Sequence, residues 1–560
     1  MRGLIVSDGR QDFERRISEG LGLQPEQASG QADIVICDLG QEAFDTARRE
    51  ALAIGKPLCL VIPGPLPIHS KTTPSSFSYV LLKSTILTRY GHPGEAAIRA
   101  LLAGALQAGR KVDTSILDLW RALPPAEEGS PRRLGCDLES RALQILMENG
   151  GLPDEEPDGF WRILADACAG SQLELDRVIG PLLQKNTAWF DPYHQRVTDG
   201  LRALDSLRLL EKRWAANDRP IHCFGIEEES SPLVSAAFAG RGGPVSGHDT
   251  EAEAVSHAVR DAGVLLSVGG KVSDTLEQTC REKNIGLLRT DGNFACAAGL
   301  EPFLPPAAML AVDDLGSHDD ASRPSRLETL LQTYELNTEE VNRGTALLDK
   351  LNQAYASMDG PDMSRTTAAA KGRKIVLVPG EPGSAESPAS DTSERHLQLL
   401  RQVRKRNPDA FVIFKPHPDM NADRSLSRDM RRYADLVATK VDWSDLIGLC
   451  DAVETLSSPA GFAALLRGVP VTVHDLPFYA GWGLTEDLAA CTRRTALRTL
   501  GELVYLTLAV YARCTDPVSL LPCPPEILID RAIARQPEMR QRAGSPGLNP
   551  LAWLSRKLGL

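Results

Sequence analysis

The sequence lacks several things, and each absence narrows the answer. None of its eleven cysteines forms a Cys-x-x-Cys pair, so the ligand spacing of a zinc ribbon or finger is missing and no metal is expected. Cys37, Cys59 and Cys223 instead sit in apolar runs, where a free thiol behaves as a small hydrophobe, and this points to a reducing compartment. Basic charge is in deficit: 62 Lys and Arg against 74 Asp and Glu give a net charge of -12. That balance excludes a broad nucleic-acid surface, which needs clustered cations. No apolar run is long enough to span a bilayer, and the opening Met1-Arg-Gly-Leu-Ile-Val-Ser-Asp8 is too briefly apolar for a signal peptide and reads as a first buried strand. A cytoplasmic location is the expectation.

What is present is ordinary globular material, 42% hydrophobic and 24% charged over 560 residues, enough for several domains. Residues 1–105 alternate apolar runs (Leu4-Ile5-Val6, Ile34–Cys37, Leu58–Ile62) with helical stretches, which predicts a small parallel α/β unit. Over 106–215 strand signals vanish and a helical connector is expected. A second α/β unit is predicted over 216–355, with strands at Ile221–Ile226, Val264–Gly270, Ile285–Asp291 and Met309–Asp314. The stretch Ser357–Lys374 reads as a linker. A third unit follows over 370–536, and 537–560 forms a basic tail that suits a surface, including the inner-membrane face. The fold class is therefore α/β: a GT-B-like pair of Rossmann-type domains with an additional N-terminal α/β unit and a helical connector.

Three local patterns carry chemistry. Phe414-Lys-Pro-His-Pro-Asp419 follows an apolar strand, so Lys415 and His417 emerge at the carboxyl edge of a sheet, where ligands of open α/β folds bind. A held ammonium and imidazole suit a phosphate; a solvated turn is the competing reading. Leu456-Ser-Ser-Pro-Ala-Gly461 follows the next strand, and Ser457, Ser458 and Gly461 at a helix start make an anion site, or equally an ordinary N-cap. His474-Asp-Leu-Pro-Phe-Tyr-Ala-Gly-Trp-Gly-Leu-Thr485 crowds aromatics and glycines into one loop. Tyr479, Gly481 and Trp482 either stack on a base or sugar or plug the core beneath the loop.

Taken in order, Trp189-Phe-Asp-Pro192, Pro324-Ser-Arg-Leu-Glu328, Asn407-Pro-Asp-Ala410, Lys415–Asp419, Ser457–Gly468, Pro477–Thr485 and Arg493-Arg494 resemble the KpsC-type capsular polysaccharide proteins, bacterial β-Kdo transferases, over about 185–535. The resemblance implies a CMP-activated Kdo donor, a lipid-linked glycan acceptor, and work alongside other capsule assembly and export proteins, with no cofactor. It also implies that Lys415 and His417 lie near the donor phosphate, with Ser457 and Ser458 completing the nucleotide site. The family's acidic motif Glu-Asp-Gly-Phe falls on Thr290-Asp-Gly-Asn-Phe294, which keeps Asp291, as nucleophile or base or equally as an ordinary cap of a strand-to-loop turn, but lacks the neighbouring Glu, Arg and Ser. Gly380-Glu-Pro-Gly-Ser-Ala385, Gly316-Ser-His-Asp-Asp320 and Ala463 are further departures. A non-catalytic subunit of capsule assembly is the contrasting expectation. A sugar-nucleotide epimerase would need paired acid and base residues, which are not found.

Overall fold

The computed structural model describes residues 1–7, 17–18, 21–25, 31–38, 40–67, 77–107, 115–121, 172–194, 196–269, 272–291, 294–301, 303–356, 364–381, 389–417, 429–439, 441 and 443–544. The chain divides into two compact units, one of residues 1–218 with 238–243, the other of 219–237 with 244–560.

In the first unit the strands are β1 (Arg2–Val6), β2 (Gln24–Pro25), β3 (Ile34–Cys37), β4 (Leu58–Pro67), β5 (Phe77–Ser84), β6 (Thr187–Asp191) and β7 (Arg196–Thr198). They form one sheet in the order β2-β1-β3-β4-β5-β6-β7. The apolar runs read from sequence are β1, β3 and β4, which pair in parallel. The expectation of a parallel unit ending near 105 is corrected on two counts. β5 and β6 are antiparallel additions, and β6 and β7 come from the stretch assigned to the helical connector. Within that stretch 122–171 lie outside the described residues. The Trp189-Phe-Asp-Pro192 motif is this sheet's outer part: Trp189 is 1% exposed and its indole N–H donates to the Leu183 carbonyl at 2.8 Å.

The second unit contains two sheets. The first comprises β8 (Ile221–Phe224), β9 (Ser246–His248), β10 (Val264–Val268), β11 (Gly286–Asp291) and β12 (Met309–Asp313). β9, β8, β10 and β11 are parallel, whereas β12 runs antiparallel to β11, contrary to the uniform direction expected.

The second sheet comprises β13 (Ile375–Pro379), β14 (Phe411–Lys415), β15 (Leu436–Val437), β16 (Ala452–Thr455), β17 (Val471–Val473) and β18 (Glu486–Asp487). Every pairing is parallel, in the order β15-β14-β13-β16-β17-β18. In chain sequence that is third, second, first, fourth, fifth, sixth, the doubly wound Rossmann order. Strands β13 and β14 are buried along their whole length, as a sheet covered on both faces demands. The Asn407-Pro-Asp-Ala410 motif serves this sheet locally, since Asn407 donates to the buried Glu454 carboxylate on β16 at 2.6 Å.

The chain passes between the sheets twice. Helix Thr338–Ala356 leads out of the first, and after the second the helical stretch Leu500–Tyr511 returns to β19 (Arg513–Cys514), which pairs antiparallel with β12. These helical stretches lie so close that a Cβ at Gly344 would collide with the Gly501 carbonyl. Part of the expected linker, Ser364–Ala370, is helix, as is Pro525–Gly544, which runs across the boundary expected at 536. The tail beyond 544 lies outside the described residues. No described helix is long and apolar enough to cross a membrane.

One ionic cluster joins the two sheets. Glu328, on helix Arg326–Thr333 after the first sheet, is buried and takes Arg493 Nε at 2.6 Å and Arg494 Nε at 2.9 Å. Arg494 also donates to the Pro477 and Ala480 carbonyls at 2.6 and 3.0 Å. Burial pushes the Glu328 carboxyl up, but the two guanidiniums more than offset this and hold it below its ordinary value. Arg494→Ala strips a buried carboxylate of its fixed partner and should cost about 3–5 kcal/mol of unfolding free energy, read from urea midpoints. Because the folded-state pKa is depressed, this stabilisation is present above the unfolded carboxyl pKa and lost as pH falls through the folded one. The wild-type advantage over the variant should therefore narrow in acid.

Candidate functional site

In a doubly wound sheet the ligand crevice opens where strand order reverses, outside the carboxyl ends of the strands. Here that is between β13 and β16, and the loops that meet there follow β13, β14 and β16. The Gly380 N–H donates to the Lys415 carbonyl at 2.7 Å, and a Cβ on Gly380 would stand 2.9 Å from the His417 backbone nitrogen. A side chain at 380 would thus push the first two loops apart.

The crevice is organised by a residue the sequence reading passed over. Glu381, directly after Gly380, accepts hydrogen bonds from both the Ser457 backbone N–H and the Ser457 hydroxyl, the latter at 3.2 Å. Its own N–H donates to His396 Nε2 at 2.9 Å. Burial is the main influence on Glu381 and raises its carboxyl above the ordinary glutamate value, against the lowering effect of the Ser457 donors. The signal was available in principle: Glu381 follows the carboxyl end of β13, the strand at the reversal point, but that rank becomes visible only once the strand order is known.

The predicted phosphate residues sit on these loops. Lys415 ends β14, is 9% exposed, and bends its ammonium 3.3 Å from the Pro416 carbonyl. His417 stands two residues on, half-buried. Ser458 caps helix Pro459–Leu466, its hydroxyl accepting from the Ala460 N–H at 3.3 Å while its own N–H donates to the Thr455 hydroxyl at 3.2 Å. The backbone donors at this helix start, which an anion site would need, are already taken: the Ser457 N–H by Glu381, the Ser458 N–H by Thr455, the Ala460 N–H by Ser458 Oγ, and the Gly461 N–H by the Ser458 carbonyl at 3.0 Å.

The aromatic loop is also corrected. Tyr479 and Trp482 are fully buried, so neither ring has a face for a base or sugar. Their polar tips are satisfied within the protein, the Tyr479 hydroxyl donating to the Ser458 carbonyl at 2.6 Å and the Trp482 indole to the Phe478 carbonyl at 2.8 Å. Gly461 is needed for this packing, because a Cβ there would run into the Tyr479 hydroxyl. Gly481, at φ +88°, turns the chain where a side chain would press on Arg494. The loop therefore supports the Ser457–Ser458 turn from below.

On the side of the first sheet, Asp291 ends β11 and pairs in register with Ala311. Phe294, shortly after it, lies 5.9 Å from Phe478 of the aromatic loop and 5.0 Å from His318, centroid to centroid. The carboxyl end of β11 thus approaches the loops of the second sheet. The other carboxylates nearby differ in character. Asp313 is buried and committed to the N–H groups of Leu315, Gly316 and Arg326 and to the Tyr511 hydroxyl, which marks it as a structural anchor. Asp320 receives the Ser322 N–H and hydroxyl. Asp319 is two-thirds exposed, 67%. Burial, followed by the charges of Glu381 and Asp319, raises the Tyr479 hydroxyl well above its ordinary pKa.

Residues 337–511 match the family model described as capsule polysaccharide biosynthesis protein. Over that segment, less than half of the chain, the sequence is similar to the capsule polysaccharide biosynthesis family. The resemblance read from the motifs is thereby supported, and the module includes the second sheet and both helical crossovers. Among curated proteins, the capsule polysaccharide modification protein LipA of Neisseria meningitidis serogroup A is 36% identical over 263 residues, 46% of this chain and 37% of LipA. The lipopolysaccharide-processing protein LpsZ of Rhizobium meliloti is 31% identical over 243 residues, 41% of this chain and 55% of LpsZ. The matches span about a third to a half of those relatives' lengths. Among solved structures, the β-Kdo 2,7 transferase of Thermosulfurimonas dismutans KpsC aligns with 56% of this chain and 99% of its own, at 23% identity and a TM-score of 0.44. A glycosyl transferase family 9 protein of Veillonella parvula aligns with 49% and 85%, at 11% identity and a TM-score of 0.18.

Two substitutions test the support under the capsule module's crevice. Gly461→Ala should cost about 1–3 kcal/mol through overpacking, and less in a Tyr479→Phe background, where the hydroxyl is gone and only the ring edge still presses on the new Cβ. Additive losses in the double-mutant cycle, measured by denaturant unfolding, would show that the two do not touch. Glu381→Gln keeps an acceptor for Ser457 without the ionisable proton. As the native Glu381 pKa is raised, its carboxyl destabilises the fold as pH climbs from the unfolded to the folded pKa. The variant should match wild type in acid and exceed it in stability near neutrality.

Proposed function

We propose that the chain is a glycosyltransferase of capsule polysaccharide assembly that moves Kdo, or a related ulosonic acid, from a CMP-activated donor to a lipid-linked glycan acceptor. In this reading the two sheets of the second unit form a GT-B pair, with the donor nucleotide on the second sheet. The observation that carries it is the Rossmann strand order with Lys415, His417, Glu381, Ser457 and Ser458 on the loops around its point of reversal, in a segment similar to the capsule family. Lys415 and His417 would neutralise and hydrogen-bond the donor phosphate. The Glu381 carboxyl, whose pKa burial raises above the ordinary glutamate value, would oppose an approaching phosphate less than an ordinary glutamate does.

Asp291 is assigned the nucleophilic role. Its carboxylate oxygen would bond to the anomeric carbon as the bond to the CMP phosphate oxygen breaks; the acceptor hydroxyl would then displace the carboxylate, restoring it, and pass its proton to solvent water. No metal or cofactor is needed for either displacement. The cytoplasm, with peripheral contact at the inner membrane and with other capsule assembly proteins, is the setting this chemistry suits.

A second reading, a non-catalytic subunit that binds nucleotide or polymer, is favoured by the helix start at Pro459. There the described donors are already taken by Glu381 and by the turn itself, and a phosphate would have to displace Glu381 from Ser457.

Purified protein given CMP-Kdo and a lipid-linked acceptor should release CMP. Asp291→Asn should abolish that release while leaving CMP affinity within about twofold, the signature of an interaction made only in the transition state. Full activity in the variant would move the role to Asp319. Binding of CMP without release by the wild type would favour the non-catalytic subunit, and absence of both would remove the donor assignment.

A further inference from the structure

Away from the crevice, three imidazoles converge on the edge of the first sheet of the second unit. His222 is the second residue of β8, His248 the last of the neighbouring strand β9, and His257 lies on helix Glu251–Arg260, which Thr250 caps just after β9. Parallel pairing sets Ser246 beside His222 and His248 beside Phe224. His222 Nδ1 lies 3.1 Å from His248 Nε2, and one ligating nitrogen from each ring falls within 4.8 Å of the other two. The ring centroids are 4.7, 5.3 and 5.9 Å apart. Nitrogens bound at about 2.0–2.1 Å in tetrahedral geometry stand roughly 3.3 Å from one another, so small rotamer adjustments suffice to surround an ion.

Two details go beyond proximity. Asp261 places Oδ2 3.3 Å from His222 Nε2. A carboxylate behind a ring holds the proton on the far nitrogen and aims the other lone pair at a metal. His222 Nε2 is also buried without a hydrogen bond of good geometry, an orphan that a modest closing of the Asp261 contact on metal binding would satisfy. A side chain at Gly263 would come 3.0 Å from the His222 ring, so glycine there leaves the imidazole its room. The groups facing His222 are Asp261, His248, His257 and Arg260, and burial above all keeps its pKa below the ordinary value.

We propose that His222, His248 and His257 bind one divalent transition-metal ion of the zinc type, with Asp261 orienting His222 from behind and the fourth position left to water. The expectation of no metal rested on cysteine spacing and does not address an all-imidazole site. The ion would tie β8, β9 and helix Glu251–Arg260 together at the sheet edge. It has no part in the sugar transfer proposed above, so the two proposals fail independently.

The test uses the full chain stripped with EDTA. Titrated Zn²⁺ should bind at one equivalent and raise the melting temperature, and Co²⁺ should give the visible absorption of a four-coordinate nitrogen site. His248→Gln and His257→Gln, both at half-buried positions, should each weaken Zn²⁺ binding at least tenfold, on the order expected for a lost ligand. Asp261→Asn, which removes no ligand, should weaken it by about tenfold. Wild-type protein with neither a Zn²⁺-dependent melting shift nor a Co²⁺ spectrum would overturn the proposal. So would stoichiometric binding that persists unchanged in the His248→Gln, His257→Gln double variant.

Discussion

A buried guanidinium, that of Arg494, does the most to make the second unit a single object. It neutralises Glu328 on the first sheet's side and grips two carbonyls of the aromatic loop on the other. A carboxylate as enclosed as Glu328 is tolerable only against fixed cations, so helix Arg326–Thr333 and the loop after β17 must stay in register with each other. That register sets where Tyr479 lies, Tyr479 holds the Ser458 carbonyl, and Ser458 caps the helix that opens on the crevice. The site's floor is thus built from residues whose work is mechanical, and its chemistry is borne by the few side chains on the rim.

Much of this was legible before any coordinates. Strands buried on both faces announce themselves as continuous apolar runs, and β10, β13 and β14 lie where such runs end in Gly, Pro or Lys. β6 and β7 were not legible, because strands of only five and three residues carry too little apolar pattern to stand out from a helical region. The antiparallel course of β12 was hidden for another reason: strand direction depends on the connection, and an apolar run reads the same either way.

The site was legible in its positions and misread in part of its physics. Placing Lys415, His417, Ser457 and Ser458 after strands of one sheet was correct as placement. The aromatic loop posed a choice between ligand stacking and a buried plug, and burial decides for the plug. Composition cannot make that choice, since rings at a ligand site and rings in a core satisfy the same preference for leaving water. Glu381 was missed because a glutamate after a glycine is unremarkable until the neighbouring loop brings Ser457 to it. Likewise Pro324–Glu328 and Arg493-Arg494 were seen as a shared pattern, while the reason for it is an ion pair across 165 residues of sequence.

The return of the chain to β19 bears on the order in which the protein assembles. β12 must wait for Arg513 and Cys514 before its outer edge is paired, and the Asp313 contact with Tyr511 spans 198 residues. Closing so long a loop costs entropy that local contacts cannot repay in advance. During synthesis the first sheet therefore emerges with an unpaired apolar edge and remains so until the whole second sheet has left the ribosome. The all-parallel second sheet, enclosed between outgoing and returning helices, can form as a unit meanwhile. The first sheet is finished last although its strands are made first, and in that interval the bare edge of β12 is the part of this unit most exposed to pairing with another chain.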